Sequence, residues 1–550
     1  MTSKDIFFST IKKALENPEF KNKKCISYFS NDYQMTHLTF DEVNQRVNVL
    51  TSNLIRMGLK EGSRVGILAR NSLEWLLLDF ALIKLKIVSY SFHAEGLKSN
   101  FSSLVDENDL QILFISQKDS EFFSRPKKYQ CLIESLLIED SNDLPQIRPI
   151  NKLENTSSET MYVFTSGTSG KAKCIRVNLH NAMDDIHTLH KYLNLSDNEN
   201  LLLFLPLSVL QQRIMVYSMV IFGGVLSIID PKDLLIGLKK FKPTIFIAPP
   251  LFYESVHDKF RRAINSKPKL VSNFLSFLTE KNRADKESLW WKICEVLLYK
   301  KIRNVFGGKI KVMLVGMAVT KSSTLKFFKD VNLPLYEAYG LSEVGVISLN
   351  RKSEEKIGSV GKPLIQDSVT LAKDGEIIIN RQALWTTTYT NIPDEENKKS
   401  YLGNGTFATG DIGRFDSNGF LHIIGRKKAI LALSSGYKVQ PESIENRLRE
   451  IKDVNNVVAI GSGLPCVMVI LSVSSKNLEI INDIENAIEK YNEAVPERGK
   501  IKEIIYTTTQ FSPDNKLLNP SLKINRDNVL NHFKNEIESR VSKIELEFVV

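Results

Sequence analysis

The chain has 550 residues, 43% of them hydrophobic and 25% charged, a balance that fits a folded globular protein and excludes a disordered or fibrous one. That length is several times a typical domain of roughly 100–150 residues, so two cores, or one large body with an appendage, are expected. Its cysteines, Cys25, Cys131, Cys174, Cys294 and Cys466, are odd in number and far apart; they exclude a disulfide framework and a C-x-x-C zinc site, and predict a reducing, cytoplasmic setting.

The opening MTSKDIFFSTIKKALENPEF carries acids and has no continuous apolar stretch before a small-residue cleavage site, unlike a secretory leader. Arg64–Ala69 reads as a strand, Asn71 and Ser72 as candidate caps of a helix over Glu74–Leu85, and Ile87–Tyr90 as the next strand, which together make a βαβ unit. Further apolar strands are predicted at Gln111–Ile115, Met161–Phe164, Leu201–Leu205, Val225–Ile229, Thr244–Ala248 and Ile310–Val315. With helical segments between several of them, the expected fold is a layered α/β body.

Two long uncharged runs are tested against a membrane reading. Ile214–Ile229 is shorter than the roughly 18 residues of a spanning helix and contains Gly223 and Gly224. Asn455–Ser475 is interrupted by Gly-Ser-Gly-Leu-Pro, as in two strands joined by a turn. Neither is expected to span.

The net charge is +10 and uneven: between His257 and Lys311 there are fourteen Lys and Arg against five acids. Phe274, Phe277, Trp290 and Trp291 are interleaved with these charges. The pattern predicts a helical, partly amphipathic insertion, either a solvated basic face over an apolar side or a peripheral contact with an anionic membrane surface. No helix-turn-helix, zinc finger or RNA-binding aromatic motif accompanies the charge, so no nucleic-acid partner is expected. After GFLHIIGRKKAI the pattern changes to a helix at Glu442–Glu450, a hairpin-like pair across Ile460–Val473, a helix around Asp483–Tyr491 and a strand at Ile501–Tyr506. This is a compact α/β appendage starting near Arg426.

Three segments carry chemistry. Directly after the strand Met161–Phe164, Thr165–Lys173 reads TSGTSGKAK. Gly167 and Gly170 cannot continue a packed strand, so a loop is predicted. Its glycines let backbone N–H groups approach a ligand, Thr165, Ser166, Thr168 and Ser169 add hydroxyls, and Lys171 and Lys173 add charge, a set suited to a polyphosphate. It is not a Walker A loop, because only Thr168 and Ser169 separate the glycines and Ala172 follows Lys171. The second segment, YEAYGLSEVG, places Tyr339, Gly340, Ser342 and Glu343 in a loop; a lone carboxylate such as Glu343 suits Mg²⁺, which takes one or two protein carboxylates beside nucleotide phosphates. The third, ATGDIGRFDSNGFLHIIGRKK, places Asp411 in a tight turn and Arg426 after a strand, and an aspartate so held has the oxygens to accept both hydroxyls of a ribose.

In this order, YVFTSGTSGKAK, YGLSE, TGD, GRKKAI…SGYKVQPESIE and LKINR resemble the AMP-forming adenylating superfamily: acyl-CoA synthetases, acyl-AMP ligases, aryl-CoA ligases, luciferases and peptide-synthetase adenylation domains. The likeness covers nearly the whole chain and is most like long-chain fatty acyl-CoA synthetases. It implies a large multi-subdomain N-terminal α/β domain at 1–425, binding ATP and the acid, and a small mobile C-terminal α/β domain at 426–550 carrying the catalytic lysine. By that resemblance Thr165–Lys173, with Gly167 and Gly170, would hold the ATP β and γ phosphates; Tyr339 would stack on adenine beside Gly340; Ser342 would reach the α-phosphate; Glu343 would bind Mg²⁺; Asp411 would hold the ribose; and Arg426 would help from the domain junction. VGMAV, with Gly316 and Ala318, resembles the adenine-side segment. Lys523, before INR, matches the catalytic lysine, with Lys516 as the competing choice, and Gly436 matches a glycine bordering the pantetheine channel.

The chain also departs from the pattern. Ala172 and Cys174 replace the usual proline and glycine of the phosphate loop, Ala429 stands where an aspartate usually follows GRxK at the domain hinge, and Val209 in LPLSVLQQR stands where His or an aromatic is usual in the acid gate. FLPLSVLQQR offers no carboxylate for the ammonium of an amino acid, which favours a plain fatty or aryl acid. The leading expectation is an acyl-CoA synthetase using ATP, Mg²⁺ and CoA. A second is an acyl-AMP ligase loading the phosphopantetheine of an acyl carrier protein. A third, raised by Ala429 and the altered loop and opposed by Glu343, Asp411 and Lys523, is a lapsed member that only binds nucleotide or acid.

Overall fold

The structure, a computed structural model, describes residues 6–30, 32–92, 101–117, 119, 129–138, 144–149, 153, 161–165, 173–265, 299–519 and 522–547. The predicted βαβ unit is present. Strand Arg64–Leu68 leads to helix Leu73–Lys84 and returns in strand Val88–Phe92, parallel to the first with Val65 opposite Ser89. Ser72 caps the helix, its Oγ accepting from the Trp75 N–H at 3.1 Å. Asn71 does not cap: its amide donates to the Leu205 carbonyl and accepts from the Leu207 N–H, both at 2.7 Å. It thereby fastens this unit to the segment that opens the second half of the body.

That unit belongs to a seven-stranded sheet running Thr386–Tyr389, Lys173–Val177, Met161–Thr165, Val88–Phe92, Arg64–Leu68, Ile112–Ile115 and Gln130–Leu132 in spatial order. A nine-stranded sheet runs from Lys362–Pro363 through Gly345–Leu349, Leu335–Leu341, Val312–Val315, Ile245–Ala248, Asn200–Leu203 and Val225–Ile228 to Lys24–Phe29 and Met35–Thr39. The predicted strands lie within two residues of these bounds. Helices Phe40–Arg56, Leu73–Lys84, Leu179–Tyr192 and Leu210–Ile221 contribute to the same hydrophobic core as both sheets, giving a layered α/β arrangement. The uncharged run at Ile214–Ile229 is the end of one of these helices plus the strand Val225–Ile228. Among the described residues, no helix is long and apolar enough to cross a membrane.

A five-stranded sheet follows, with Glu376–Asn380 and Leu421–Arg426 on either side of Thr406–Phe415. The C-terminal unit has its own sheet and core. Val454–Ile460 and Val467–Val473 pair antiparallel, and Ile501–Thr507 adds in parallel. The turn falls at the Gly-Ser-Gly-Leu-Pro segment, as read from the run Asn455–Ser475, and the first strand begins six residues before the predicted Ile460. Helices Pro441–Arg449 and Leu478–Glu493 pack on one face through Ile444, Leu448, Ile484 and Ile488.

The C-terminal unit is held against the large body by charged contacts. Arg449 donates to both carboxylate oxygens of Glu254 at 2.9 Å, Arg261 pairs with Asp453 at 3.1 Å, and Lys321 Nζ donates to the Val454 carbonyl at 2.7 Å. The basic stretch at 257–311 is only partly described: 266–298 lie outside the described residues, and the flanks end in helices Pro250–Asn265 and Lys300–Val305. Of its cations, Arg261 and Lys311 are engaged in ion pairs, Lys311 with Glu199 at 2.8 Å.

Candidate active site

A cavity of about 710 Å³ lies where both large sheets, the five-stranded sheet and the C-terminal unit meet. Its polar end is assembled from strand ends. Tyr339 and Gly340 lie near the end of the strand Leu335–Leu341, on either side of an irregularity in its pairing, and Ser342 and Glu343 are in the turn that follows. The expectation of a loop therefore holds for Ser342 and Glu343 but not for Tyr339 and Gly340. Asp411 likewise is not in a tight turn: it lies inside strand Thr406–Phe415, directly opposite Arg426. Sheet pairing explains this, because the short Thr-Gly-Asp sequence is flanked on both sides by residues that extend the ladder.

These positions make one connected set. The Tyr339 hydroxyl donates to Asp411 Oδ2 at 2.7 Å, and Arg426 Nε reaches Asp411 Oδ1 at 3.1 Å. Burial, and then the Asp411 carboxylate, push the Tyr339 phenol well above its usual range, so it stays a donor. Glu343 is oriented by Tyr389, whose hydroxyl donates to Glu343 Oε1 at 2.7 Å, and the Lys173 ammonium lies 4.2 Å from the centre of the Tyr389 ring. Ser342 Oγ accepts from Gln211 Nε2 at 3.2 Å.

Lys523 reaches this cavity from the C-terminal unit. Leu522 takes a left-handed backbone, φ 61°, and the Lys523 N–H donates to Asn519 Oδ1 at 2.9 Å, so a tight local bend projects the side chain. Burial, then the charge of Arg426, hold its ammonium below the ordinary lysine value, while Asp411 and Glu343 oppose that shift. The competing Lys516 is exposed and does not line the cavity.

The other end is apolar. Ile186 and Leu189 from helix Leu179–Tyr192 and Ile214 and Met215 from helix Leu210–Ile221 face it, with Val209 at the start of the latter helix. One carboxylate that the sequence reading missed, Asp185, also lines it, but Arg381 Nη1 binds it at 2.6 Å. Gly345, φ 78°, allows the strand after Glu343 to pass here: a Cβ would sit 2.4 Å from the Trp385 ring and 2.6 Å from Asp185.

Of the residues singled out in the sequence, Lys173, Gly316, Tyr339, Gly340, Ser342, Glu343, Arg426 and Lys523 line the cavity, and Asp411 is bonded to two of them. Thr165 and Lys173 end paired strands rather than sitting in the loop, facing each other across the pair. Ser166, Gly167, Thr168, Ser169 and Gly170 lie outside the described residues. Ala318 is exposed and does not line the cavity. Gly436, φ 75°, is in an exposed turn away from it. Tyr389, Gln211 and Lys428 were missed. Tyr389 sits in TTTYT, a strand with no motif to flag it, and only the fold brings it to Glu343.

Glu343 fits a divalent cation in one specific sense. Its carboxylate lines the cavity beside Glu376 and Glu396, and among the described residues no group of three or more His, Cys, Asp or Glu could hold a metal ion. One or two carboxylates completed by phosphate oxygens are the usual way Mg²⁺ sits on a nucleotide.

A cavity that joins a carboxylate-and-cation end to an apolar chamber, with a lysine delivered by a separate C-terminal unit, defines an adenylate-forming type of enzyme. The chain belongs to the AMP-binding enzyme family, whose model matches residues 16–380, with the model of the family's C-terminal domain matching 428–545. Among curated relatives, a long-chain-fatty-acid–CoA ligase of Mycobacterium bovis is 25% identical over 92% of this chain and 93% of its own length. The human long-chain-fatty-acid–CoA ligase 1 is 23% identical over 96% and 85%. Among solved structures, o-succinylbenzoate CoA synthetase of Bacillus subtilis with its acyl-adenylate has a TM-score of 0.68 at 18% identity, covering 94% of this chain and 97% of that one. The adenylation domain of a Mycobacterium chelonae carboxylate reductase has a TM-score of 0.75 at 15% identity, covering 98% and 91%. At those identities the likeness to the solved structures defines the fold, a large N-terminal and a small C-terminal domain.

Proposed function

We propose that this protein is an acyl-CoA synthetase that activates a carboxylic acid with an extended apolar tail, a fatty acid, at the expense of ATP. The observation that carries the reading is the placement of Lys523 in one cavity with Glu343, Arg426 and the apolar chamber. The acid's oxygen attacks the α-phosphorus, an O–P bond forms, the bond to the β-phosphate oxygen breaks, and pyrophosphate leaves. The attacking carboxylate is an anion approaching a nucleotide with about four negative charges, so the step needs fixed positive charge that is present before the reaction. Lys523 and Arg426 supply it from one side, and Lys173 and Lys428 line the cavity too.

In this reading Asp411 accepts the ribose hydroxyls, Tyr339 bears on adenine beside Gly340 and Gly316, Ser342 contacts the α-phosphate, and Thr165, Lys173 and the residues between them hold the outer phosphates. Glu343 would hold Mg²⁺, which when bound neutralises phosphate charge. The thiol of CoA, giving up its proton to solvent, then attacks the acyl carbon, a C–S bond forms, and AMP leaves with the C–O electron pair. Gly436 is exposed and does not line the cavity, so in this reading its role beside the pantetheine belongs to a second orientation of the C-terminal domain, turning at Arg426–Ala429. The buried free thiols Cys25, Cys131, Cys174 and Cys466 support a reducing, cytoplasmic setting.

The test is AMP and pyrophosphate release from the purified protein with Mg-ATP, a panel of saturated and aryl acids, and CoA present or absent. CoA-dependent turnover of acids with long apolar tails is expected. An adenylate that accumulates and reacts with a phosphopantetheinylated carrier protein but not with CoA would replace the acceptor, and no pyrophosphate release with any acid would overturn the reading.

A further inference from the structure

One stretch of the cavity wall is gripped from outside by the C-terminal unit. Gly316 and Met317 line the cavity, Met317 in a left-handed backbone at φ 72°, and the chain then leads through Val319 into helix Ser322–Asp330, which has no side-chain cap of its own. Its first amides are served by the C-terminal unit instead: Glu450 accepts from the Ser322 N–H at 2.5 Å and from the Ser323 N–H at 3.4 Å. The adjacent Arg449 donates through Nη1 to the Val319 carbonyl at 3.2 Å, and through Nη2 to both oxygens of Glu254 at 2.9 Å. Glu254 in turn accepts from the Lys321 N–H at 3.2 Å. The Arg449 and Glu254 side chains are 17% and 5% exposed, so the pair lies largely out of water, where losing one partner is costly.

The position of this clasp makes it more than a docking contact. Lys523 enters the cavity from the same unit whose Arg449 and Glu450 hold the chain just beyond Gly316 and Met317. When that unit turns away, the Val319 carbonyl and two helix amides lose their partners, and the wall next to them is less firmly held. When a nucleotide fixes the wall, the same groups stand ready for Arg449 and Glu450. Two events that stabilise one segment favour each other, and by the same factor in both directions.

We propose that Arg449, seconded by Glu450, is a positioning residue for adenylation: it couples the docking of the C-terminal domain, and with it the arrival of Lys523, to occupation of the nucleotide end by ATP. The inference rests on the acyl-CoA synthetase reading of the site. Thioester formation uses the other orientation of the domain, so it gives the clasp up. Each member of the clasp is a charge or a backbone group that water can satisfy once it is released, which makes the grip reversible.

The test separates the half-reactions in the whole chain, with pyrophosphate exchange reporting adenylation and CoA-dependent consumption of a supplied acyl-adenylate reporting thioester formation. Arg449→Gln is expected to lower kcat/KM for ATP in exchange by about 10- to 100-fold, with the KM for ATP raised, while thioester formation is not slowed. Arg449→Lys, which keeps the charge, should recover part of the loss. Amide hydrogen exchange gives a readout independent of turnover: the α,β-methylene analogue of ATP should slow exchange across 316–323 in the wild type, and Arg449→Gln should abolish that protection. If this variant does not fold, Glu254→Gln makes the same test from the other side, keeping an amide oxygen for the Lys321 N–H. Equal losses in both half-reactions, a lower kcat with the KM for ATP unmoved, or protection that is missing from the wild type or survives the substitution, overturns the inference and leaves the synthetase reading standing. Absence of pyrophosphate exchange with every acid in the wild type overturns both.

Discussion

The two ends of the cavity are built on different physical terms. At the polar end each group has a named partner and a fixed position: Tyr339 and Arg426 share the two oxygens of Asp411, Tyr389 orients Glu343, and Lys523 arrives on a bend whose amide is tied to Asn519. These residues come from separate sheets and from the C-terminal domain, so the set exists only when all of them are docked. At the apolar end the walls are faces of two long helices, and Ile186, Leu189, Ile214 and Met215 specify a volume rather than a set of bonds. Charge chemistry demands particular atoms at particular points, whereas burial of a hydrocarbon tail demands area and shape. The polar end should therefore fail sharply and selectively, and the apolar end should retune.

The sharpest break is expected from Lys523→Ala. Removing a positive charge needed mainly in the transition state should lower adenylation by on the order of 10²–10³-fold with ATP binding largely kept, as read from pyrophosphate exchange beside nucleotide binding. Wild-type adenylation should also decline on the alkaline side earlier than an ordinary lysine would dictate, because burial and Arg426 hold the Lys523 ammonium below its usual value and the neutral amine lacks the charge. A pH profile of pyrophosphate exchange with no decline before the ordinary lysine range would count against that assignment. Asp411→Ala comes next. It removes the acceptor shared by Tyr339 and Arg426, and the KM for ATP should rise by about 10- to 100-fold while the KM for the acid hardly moves; equal effects on both would mean that Asp411 supports the whole cavity rather than its nucleotide side.

The same contrast governs what could be read before folding. The polar end became legible through the family resemblance, since YGLSE, TGD and the lysine before INR match the superfamily's motifs, and the structure gathers Tyr339, Ser342, Glu343, Arg426 and Lys523 around one cavity. What the motifs did not reveal was local shape: Tyr339, Gly340 and Asp411 belong to strands, since ladder pairing with distant partners overrides the local turn signal. Tyr389 and Asp185 were invisible for a related reason. Each gains its role only from a residue far away in sequence, such as Arg381 beside Asp185. The α/β layering was legible from apolar runs, and the run Asn455–Ser475 was read correctly as two strands around a turn, while the narrower bounds Ile460–Val473 left out most of the first strand.

At the apolar end, Ser218→Phe sharpens the comparison. Ser218 is buried on the chamber side of helix Leu210–Ile221, and a ring there would fill space meant for the tail. The ratio of kcat/KM for long over short acids should fall by about tenfold, a change of the size hydrophobic pockets deliver, with the KM for ATP unaltered. A proportionate loss for acids of every length would show instead that the substitution has disturbed the polar end through the helix.

The smallest effect is expected from a carboxylate that belongs to neither end. Glu337 lies on the same strand as Tyr339 but lines a separate cavity with Lys329 and Arg351. Its side chain is buried, Oε2 has no partner, and burial pushes its carboxyl up to about 8, with nearby Glu450 adding to the shift. In the unfolded chain the same group titrates near the ordinary value of about 4.3. Between these two values the folded state binds the extra proton, so stability is greatest below the lower value, falls as pH rises towards 8, and levels above it. Glu337→Gln keeps an amide oxygen for the backbone N–H groups of Gly358 and Thr320 and removes the titration. Its melting temperature should lie a few degrees above wild type at pH 9 and converge with it at pH 4, while adenylation activity stays the same because neither end of the catalytic cavity has been touched. Parallel melting curves for the two proteins across that range would show that Glu337 is charged in the folded state, and that its burial is compensated by Lys329 or Arg351 across the neighbouring cavity.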